Sequence, residues 1–480
     1  MIAAVHGGDG LRLATLAGDT VPVDGAALAD LRRTLWGDVL VEGMADYDAA
    51  RRIWNAAIDR RPALIARCLD VHDIVRAVRF GGRHDAVMAV RAGGHHAAGF
   101  AICDGGLVID LTRLNGVEVD PVRQTARVGG GATFADYDAA THAHGLASTG
   151  PVVSMVGVAG YTLGGGLGWL HRRIGLAIDN LAAAQIVTAD GRVLDVSATK
   201  EPDLFWAIRG GGGNFGIVSA FEFRLAPITR VTAGLVVHPL EALPDVAAFV
   251  RAFNDIAPDD VSVWVMLRKA PASKALPPEL HGRPIAALGV CAGSTPEADE
   301  ALRRLRAFGR PLVDDLRPRE YRDWQRALDP SWMEGFGNRW DGLYLPELTD
   351  ASARTLLEGV SRVSSPFSDV KLIPMGGAVA RVADDATAFG HRRARYAIAI
   401  QTRWAAADPR DVHLAWSRSL AAAMRVHATG ETYVNFMPGE RDRAVTEAYP
   451  PATLARLRVI KAAVDPRNRF RMNHNIRPAG

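Results

Sequence analysis

Six glycines stand within the fifteen residues from 156 to 170, at Gly157, Gly160, Gly164, Gly165, Gly166 and Gly168, and no other stretch of the chain restricts its fold so strongly. Glycine loses the most backbone freedom on folding and offers no side chain to pack, so neither an ordinary helix nor a strand is expected to run through this segment. Backbone this bare exposes its N–H groups, which suits it to hold the pyrophosphate of a dinucleotide. The usual nicotinamide-binding turn is not matched, because strand, glycine fingerprint and acidic residue do not follow in the required order. A phosphate-lysine loop is absent as well, since no Gly-Lys-Ser or Gly-Lys-Thr follows the glycines.

A second glycine signal lies upstream, in Arg91-Ala92-Gly93-Gly94-His95. The apolar run at 86–90 reads as a strand feeding this loop, and 105–110 reads as a turn and the next strand. Two residues without Cβ let the backbone turn sharply and approach a ligand, bringing the imidazole of His95 against it. On these residues alone the pair is equally well a simple turn, with His95 a capping or core histidine.

A chain of 480 residues exceeds what one hydrophobic core usually serves, so two domains are expected. A net charge of +3 without a long block of Lys or Arg gives no reason to expect nucleic acid; the arginines at 303, 304 and 306 read as the solvated face of a helix. Cys68, Cys103 and Cys291 are odd in number and far apart, which fits reduced thiols better than a disulfide framework or a zinc site. Residues 1–10 lack a basic region followed by a long apolar core, and no apolar run approaches a membrane span, so a cytoplasmic protein with no membrane partner is expected.

Leu28, Leu31 and Leu35 at helical spacing predict a short helix ended by Trp36-Gly37, and Ile74, Val75, Val78 and Phe80 predict a second one beginning near Asp73. Short β-branched runs at 117–119, 126–128, 185–188 and 193–196 predict strands, the last two joined by the turn Ala189-Asp190-Gly191. After Pro227 the glycine signatures stop. Strands are predicted at 231–237, 261–267 and 285–290, with a helix from Leu243 to Ile256 and another starting at Ser294-Thr295-Pro296-Glu297, where a hydroxyl cap precedes proline and an acid. This order fits an antiparallel sheet with helices on one face, and short strands mixed with helices without strict alternation give an α+β class.

Read together, the landmarks resemble the berberine bridge enzyme-like FAD-linked oxidases of the vanillyl-alcohol oxidase superfamily, whose flavin domain is of the PCMH type. They are the Arg91–His95 loop, Gly157-Val158-Ala159-Gly160 with Gly164-Gly165-Gly166, and Gly175-Leu176-Ala177-Ile178-Asp179-Asn180. Further on come Asp203-Leu204-Phe205-Trp206-Ala207-Ile208-Arg209 with Gly210-Gly211-Gly212-Gly213-Asn214-Phe215-Gly216, and the tail Asp465-Pro466-Arg467-Asn468-Arg469-Phe470. They occur in the family's order across most of the chain. The resemblance implies an FAD domain at 1–228 with its PCMH-type core at about 58–228, an inserted substrate domain of antiparallel sheet and helices at 229–430, and a C-terminal segment at 431–480 returning to the first.

The resemblance also implies roles. His95 would bond through its ring to the 8α-methyl of the flavin, which requires a neutral imidazole, with His96 lining the site; a metal held by the two histidines is not expected, as no further ligand stands near. Where many members carry a second flavin-linking cysteine this chain has Val153, so a single covalent bond is expected. Val156 would lie near the reactive face, leaving room for dioxygen. Tyr161 would touch flavin or substrate, or else pack beside the loop. Arg91 and the peptide groups from Ala92 to His95 would face the diphosphate, Ile217 and Val218 the adenine end, and Asn473 and Asn475 the pyrimidine edge and ribityl hydroxyls. Gly157, Gly160, Gly164, Gly165 and Gly168 would form the cradle. Tyr433, in Tyr433-Val434-Asn435-Phe436, is the candidate base, needing a lowered pKa to serve at neutral pH; packing under the flavin is its other reading. Gln401, His391, Trp340, Tyr344 and Trp404 are weaker candidates for the pocket wall. The activity implied is oxidation of a small molecule with electrons passed to dioxygen and release of hydrogen peroxide; a dehydrogenase with another acceptor and a flavin binder without turnover remain open.

Overall fold

The computed structural model describes residues 10–273, 276–439 and 444–480, so the expectation about residues 1–10 falls, but for Gly10, outside the described residues. Near the N-terminus a four-stranded sheet runs in the order Asp38–Leu40, Leu64–Arg67, Leu107–Asp110, Met88–Arg91. Its last three strands are parallel, which requires crossovers, and the helix Val71–Arg83 supplies one of them. Asp70 caps that helix by accepting from the Asp73 N–H, while the Asp73 carboxylate accepts from the N–H groups of Trp36, Gly37 and Leu69. One acid thereby ties the preceding helix, Gly25–Thr34, to this one. Ile74, Ala77, Val78 and Phe80 bury the inner stripe against Leu64, Met88 and Leu107.

A five-stranded antiparallel sheet follows, ordered Val193–Ser197, Leu181–Val187, Ile217–Arg224, Thr125–Gly129, Val117–Asp120. The third sheet is the largest, with eight strands, all antiparallel, among them Arg230–Pro239, Pro284–Ala292, Val261–Lys269, Asp369–Pro374, Tyr396–Ala405 and Phe336–Leu345. Four helices cover one face: Leu243–Ile256, Pro296–Ala307, Asp350–Ser361 and Arg410–Met424. The period-two pleat sorts the residues, with Val263, Val265 and Leu267 under the helices and Trp264 and Met266 on the other face. The α+β class and the helices on one face agree with expectation. The predicted helix from Leu243 matches its observed bounds, and Thr295 caps the next one as foreseen.

The expectation that no helix crosses the glycine segment needs correction, because Val158–Leu163 is helical. Val158, Ala159, Thr162 and Leu163 are buried, so tertiary packing outweighs the propensity cost of Gly160 within a single short helix. Beyond it, Gly165 and Gly166 adopt φ of 138° and 93°, where other residues are strained.

The C-terminal helix Pro451–Val464 packs against the helix Pro202–Ile208. Lys461, wholly buried, donates to Asp465 (2.6 Å), to the Asn214 carbonyl (2.6 Å) and to the Phe470 carbonyl (3.1 Å). Asp465 in turn accepts from the N–H groups of Arg469 and Phe470. The Asn214 side chain donates to Gly211 and His474 carbonyls and accepts from the Ile476 N–H. These bonds fold the tail back against the loop that carries the glycines at 210–213.

Candidate functional site

A deep cleft of about 1820 Å³ of empty space, its open mouth included, lies between the glycine loops and the uncovered face of the large sheet. The Arg91–His95 loop forms one wall. Gly93 lies against Gly157 so closely that a Cβ on either would fall 2.5 Å from the other's backbone, so the two glycine loops can meet only as bare chain. The His95 ring stacks on Trp54 at 4.1 Å, and Trp54 is itself fixed by donating its N–H to the Gly94 carbonyl and its indole N–H to the Trp332 carbonyl. Burial lowers the His95 pKa to about 3, with Arg403 adding to the effect, so the imidazole is neutral at ordinary pH. Its Nε2 is buried and has no partner among the described residues. His96 accepts from the Ala98 N–H and lies beside Phe100 and His474; burial holds its pKa at about 4.

The structure brings most of the expected residues to this cleft. Ala92, Gly93, Gly94, His95 and His96 line it, as do Val153, Val156, Gly157, Gly160 and Tyr161, and so do Ile217, Val218, Tyr433, Asn435 and Asn473. Gly160 has no atom within 4 Å of where a Cβ would stand, so it is a bare stretch of wall. Five others are held away from it. Arg91 donates to the Ala50 carbonyl and lies 3.9 Å from Asp110, which turns its charge away from the expected diphosphate. Gly164, Gly165 and Gly168 serve packing, since a Cβ there would strike Asn435, Phe389 and the Gly150 carbonyl respectively. Asn475 is outside the lining, although its Oδ1 is buried without a partner.

Tyr433 lines the cleft, but its environment runs against the expected lowered pKa. Its oxygen accepts from the Gly166 N–H and from Asn435 Nδ2, both at 2.8 Å, and these bonds favour the phenolate; burial outweighs them and pushes the phenol up. Among the described residues no cation lowers it, so at neutral pH it is a hydroxyl that can donate, not a base. Tyr161 is also buried and raised, with its hydroxyl unpartnered. Of the weaker candidates, Trp340 and Gln401 line the cleft. His391 instead bonds the Ala448 carbonyl and Glu431, Trp404 stacks on His413, and Tyr344 packs in the core.

Sequence reasoning missed the floor of the cleft. Gly211, Gly212, Gly213 and Asn214 line it next to the tail residues Met472 and His474, and the run of four glycines was signal enough to include them. It also missed the wall on the large sheet. Trp264 and Lys371 stand there, with Trp332 beside them on the loop before Phe336–Leu345, each an isolated residue in its own segment with no local pattern to single it out, while Phe436 completes the Tyr433 motif.

Unmet polar atoms mark what the cleft can hold. His95 Nε2, Asn473 Oδ1, His474 Nε2 and the Tyr161 hydroxyl are all buried without partners. With the bare backbone at Gly160, Gly212 and Gly213, they make a long polar-and-apolar trough suited to a flavin dinucleotide. The described residues contain no group of three or more His, Cys, Asp or Glu that could hold a metal ion.

Comparison with known proteins agrees with this geometry. Residues 62–197 match the family model described as an FAD binding domain, and residues 432–477 match the model described as berberine and berberine like. The chain is 32% identical over 475 residues to (R)-6-hydroxynicotine oxidase of Paenarthrobacter nicotinovorans, covering 93% of this chain and 98% of that one. It is 29% identical to berberine bridge enzyme-like D-1 of Nicotiana tabacum, covering 78% of this chain and 74% of the other. Among solved structures, 6-hydroxy-D-nicotine oxidase from Arthrobacter nicotinovorans superposes with a TM-score of 0.83 at 29% identity, over 93% of this chain and 99% of that one. A chitooligosaccharide oxidase shares the fold, with a TM-score of 0.83 at 24% identity over 95% of this chain and all of the other. The fold is thus the PCMH-type FAD-binding architecture.

Proposed function

The chain belongs to the berberine bridge enzyme-like FAD-linked oxidoreductases, and from that premise we propose that it is an oxidase whose FAD is attached once, through His95. The observation that carries this reading is a neutral imidazole, stacked on Trp54 at the cleft wall, with a buried ring nitrogen that no protein group satisfies. A protonated ring could not act as the nucleophile that attachment requires. Single attachment is supported by Val153 on the cleft wall and by Cys68, Cys103 and Cys291, which are buried and stand apart from it. Three free thiols also favour a reducing compartment, the cytoplasm.

Bound FAD supplies a two-electron acceptor for a C–H bond next to oxygen or nitrogen, and dioxygen takes those electrons with two protons to leave as hydrogen peroxide. The chain's own residues do the rest. Gly93 and Gly157 let the two loops meet, the open backbone at Gly160, Gly212 and Gly213 would admit the dinucleotide closely, and Asn473 would offer it an unmet carbonyl oxygen. The small side chain of Val156 keeps the cleft wall low where dioxygen would enter. Tyr433, locked by Gly166 and Asn435, orients its hydroxyl toward the cleft as a donor that holds a substrate oxygen or nitrogen in place. Trp340, Lys371 and Gln401 face it across the cleft from the inserted sheet, with Trp332 on the loop before that sheet's strand Phe336–Leu345, and would receive the small-molecule substrate. On this reading the FAD domain spans 1–228, the substrate domain 229–430 and the returning segment 431–480.

Acid precipitation of the purified protein tests the attachment. Yellow colour is expected to stay with the pellet in the native chain and to wash out in His95→Ala, which can still bind FAD loosely. Colour lost from the native pellet would refute covalent attachment. Oxidase turnover is tested by reducing the flavin anaerobically and admitting air; slow reoxidation without peroxide would favour a dehydrogenase with another acceptor.

A further inference from the structure

Four ionisable side chains gather behind the sheet wall of the cleft, and their charges do not cancel. Lys371 is almost fully buried, with its Nζ 2.6 Å from Asp369 Oδ2, hydrogen-bonded to Gln401 Oε1 and 4.4 Å above the Trp332 ring. Arg268 lies 3.9 Å from the same Asp369 oxygen. Arg403, also buried, spends one nitrogen on the Met333 carbonyl and leaves Nε and Nη1 without partners, its guanidinium over the rings of Phe336, Trp54 and Trp332. Asp369 is the one carboxylate paired with any of these three cations among the described residues.

Hydrogen-bonding capacity is unbalanced in the same direction. An ammonium has three N–H groups, and Lys371 has two acceptors. The indole N–H groups of Trp332 and Trp340 are buried without acceptors, as are Nε and Nη1 of Arg403, against one unmet acceptor in the cluster, Asp369 Oδ1. The site therefore offers donors and positive charge where an isolated protein group would need acceptors, and a buried donor left unmet is costly. Trp54, Trp332, Trp340 and Phe436 pack on one another with centroids about 6 Å apart, an aromatic wall running from His95 to Tyr433, and the part of the cleft that Trp332, Trp340 and Phe436 line is an indole slot where a ring can lie against that wall.

We propose that the substrate is a planar aromatic compound bearing an anionic oxygen, a carboxylate or phenolate, which Lys371 and the Trp332 and Trp340 N–H groups receive while the ring lies in the indole slot. The proposal deepens the oxidase reading and rests on it. Asp369 and Gln401 are positioning residues, holding the Lys371 ammonium toward the slot. The cross-strand register produces the arrangement, since Gln401 stands opposite both Asp369 and Trp340 on its two neighbouring strands.

Calorimetric titration of the holoprotein, its flavin content first read from absorbance, provides the test. Benzoate and 4-nitrophenolate are expected to bind at least about tenfold more tightly than benzamide, and benzyltrimethylammonium not measurably, because a charge-assisted hydrogen bond distinguishes them by roughly ten- to a hundredfold. Lys371→Met is expected to remove that preference, bringing benzoate and benzamide within about threefold of each other. Since this variant strands the Asp369 charge, Lys371→Met/Asp369→Asn is measured beside it, and the native protein's own ranking of probes stands whether or not either folds. Benzoate much tighter than 4-nitrophenolate would assign a carboxylate, the reverse a phenolate. Equal affinity for benzoate and benzamide, or preference for the ammonium probe, would overturn the proposal. Protein that carries no flavin would refute the oxidoreductase reading instead, so the two failures are distinct.

Discussion

Replacing Lys461 with methionine isolates the contact that holds the tail against the flavin cleft. The side chains are similar in length and both fit an apolar shell, so the substitution removes charge and three hydrogen bonds while leaving volume nearly unchanged. Asp465 is wholly buried and loses its counter-charge, though it keeps the N–H groups of Arg469 and Phe470. Breaking a buried pair from one side costs about 3–5 kcal/mol. Two carbonyls, of Asn214 and Phe470, lose a donor as well, and each buried group left unmet costs about 1–3 kcal/mol when water cannot replace the partner. Relaxation of the tail relieves part of this, so a loss of about 4–6 kcal/mol is expected. Chemical denaturation followed by intrinsic fluorescence measures it, and flavin fluorescence reports the cleft opening in the same experiment. Lys461→Met/Asp465→Asn should recover more than half of the loss, because the unpaired charge is then gone. A single variant losing less than about 1 kcal/mol, in the range of an exposed ion pair, would refute the reasoning.

Gly93→Ala places a Cβ 2.5 Å from the backbone of Gly157, where no flexible side chain can yield, so the two loops must separate. The expected result is folded protein with flavin content reduced severalfold, read as the absorbance ratio of flavin to protein; full retention would show that the loops part freely. Asp138 is buried with a pKa raised to about 7, burial being the main cause. The folded state therefore holds its proton more tightly than the unfolded chain, and ~4 kcal/mol of stability, fully present below about pH 4, is withdrawn as pH rises through 7. Asp138→Asn, which keeps an acceptor for Gln325, should melt higher than the native chain at pH 8.5 and nearly alike at pH 4. Parallel melting curves at the two pH values would contradict the assignment.

The sheet-side wall of the cleft shows why part of the site could not be read in advance. Gln401 and Trp340 were candidates only as isolated polar and aromatic residues, and Lys371, Trp332 and Trp264 carried no signal. Along Asp369–Pro374 the residues alternate faces, so Val370 and Leu372 join the helix-covered core while Asp369, Lys371 and Ile373 turn the other way. A one-residue slip would exchange the two sets. The alternation sorts the two faces, but nothing in the strand says whether its polar set meets solvent or a cleft. His391 and Arg91 fail as site residues for a related reason, since each spends its side chain on a carbonyl remote in sequence, at Ala448 and Ala50. Tyr433 was found by its motif, yet whether burial or hydrogen bonding governs its pKa depends on the enclosing shell.

Local chemistry was enough to mark the glycine-loop side of the cleft. Glycines at 93 and 157 declare close backbone approach because a Cβ on either would strike the other's backbone, His95 stands beside Gly93 and Gly94 in the chain, and Thr295-Pro296 or the apolar stripe from Leu243 specify helices within a few residues of themselves. Only the tertiary structure decided the substrate side. Trp54, Trp332, Trp340, Lys371, Gln401 and Arg403 come together through strand register and sheet-to-domain packing across up to 349 positions of chain, and the net charge and unmet donors of the slot belong to that assembly and to none of its segments.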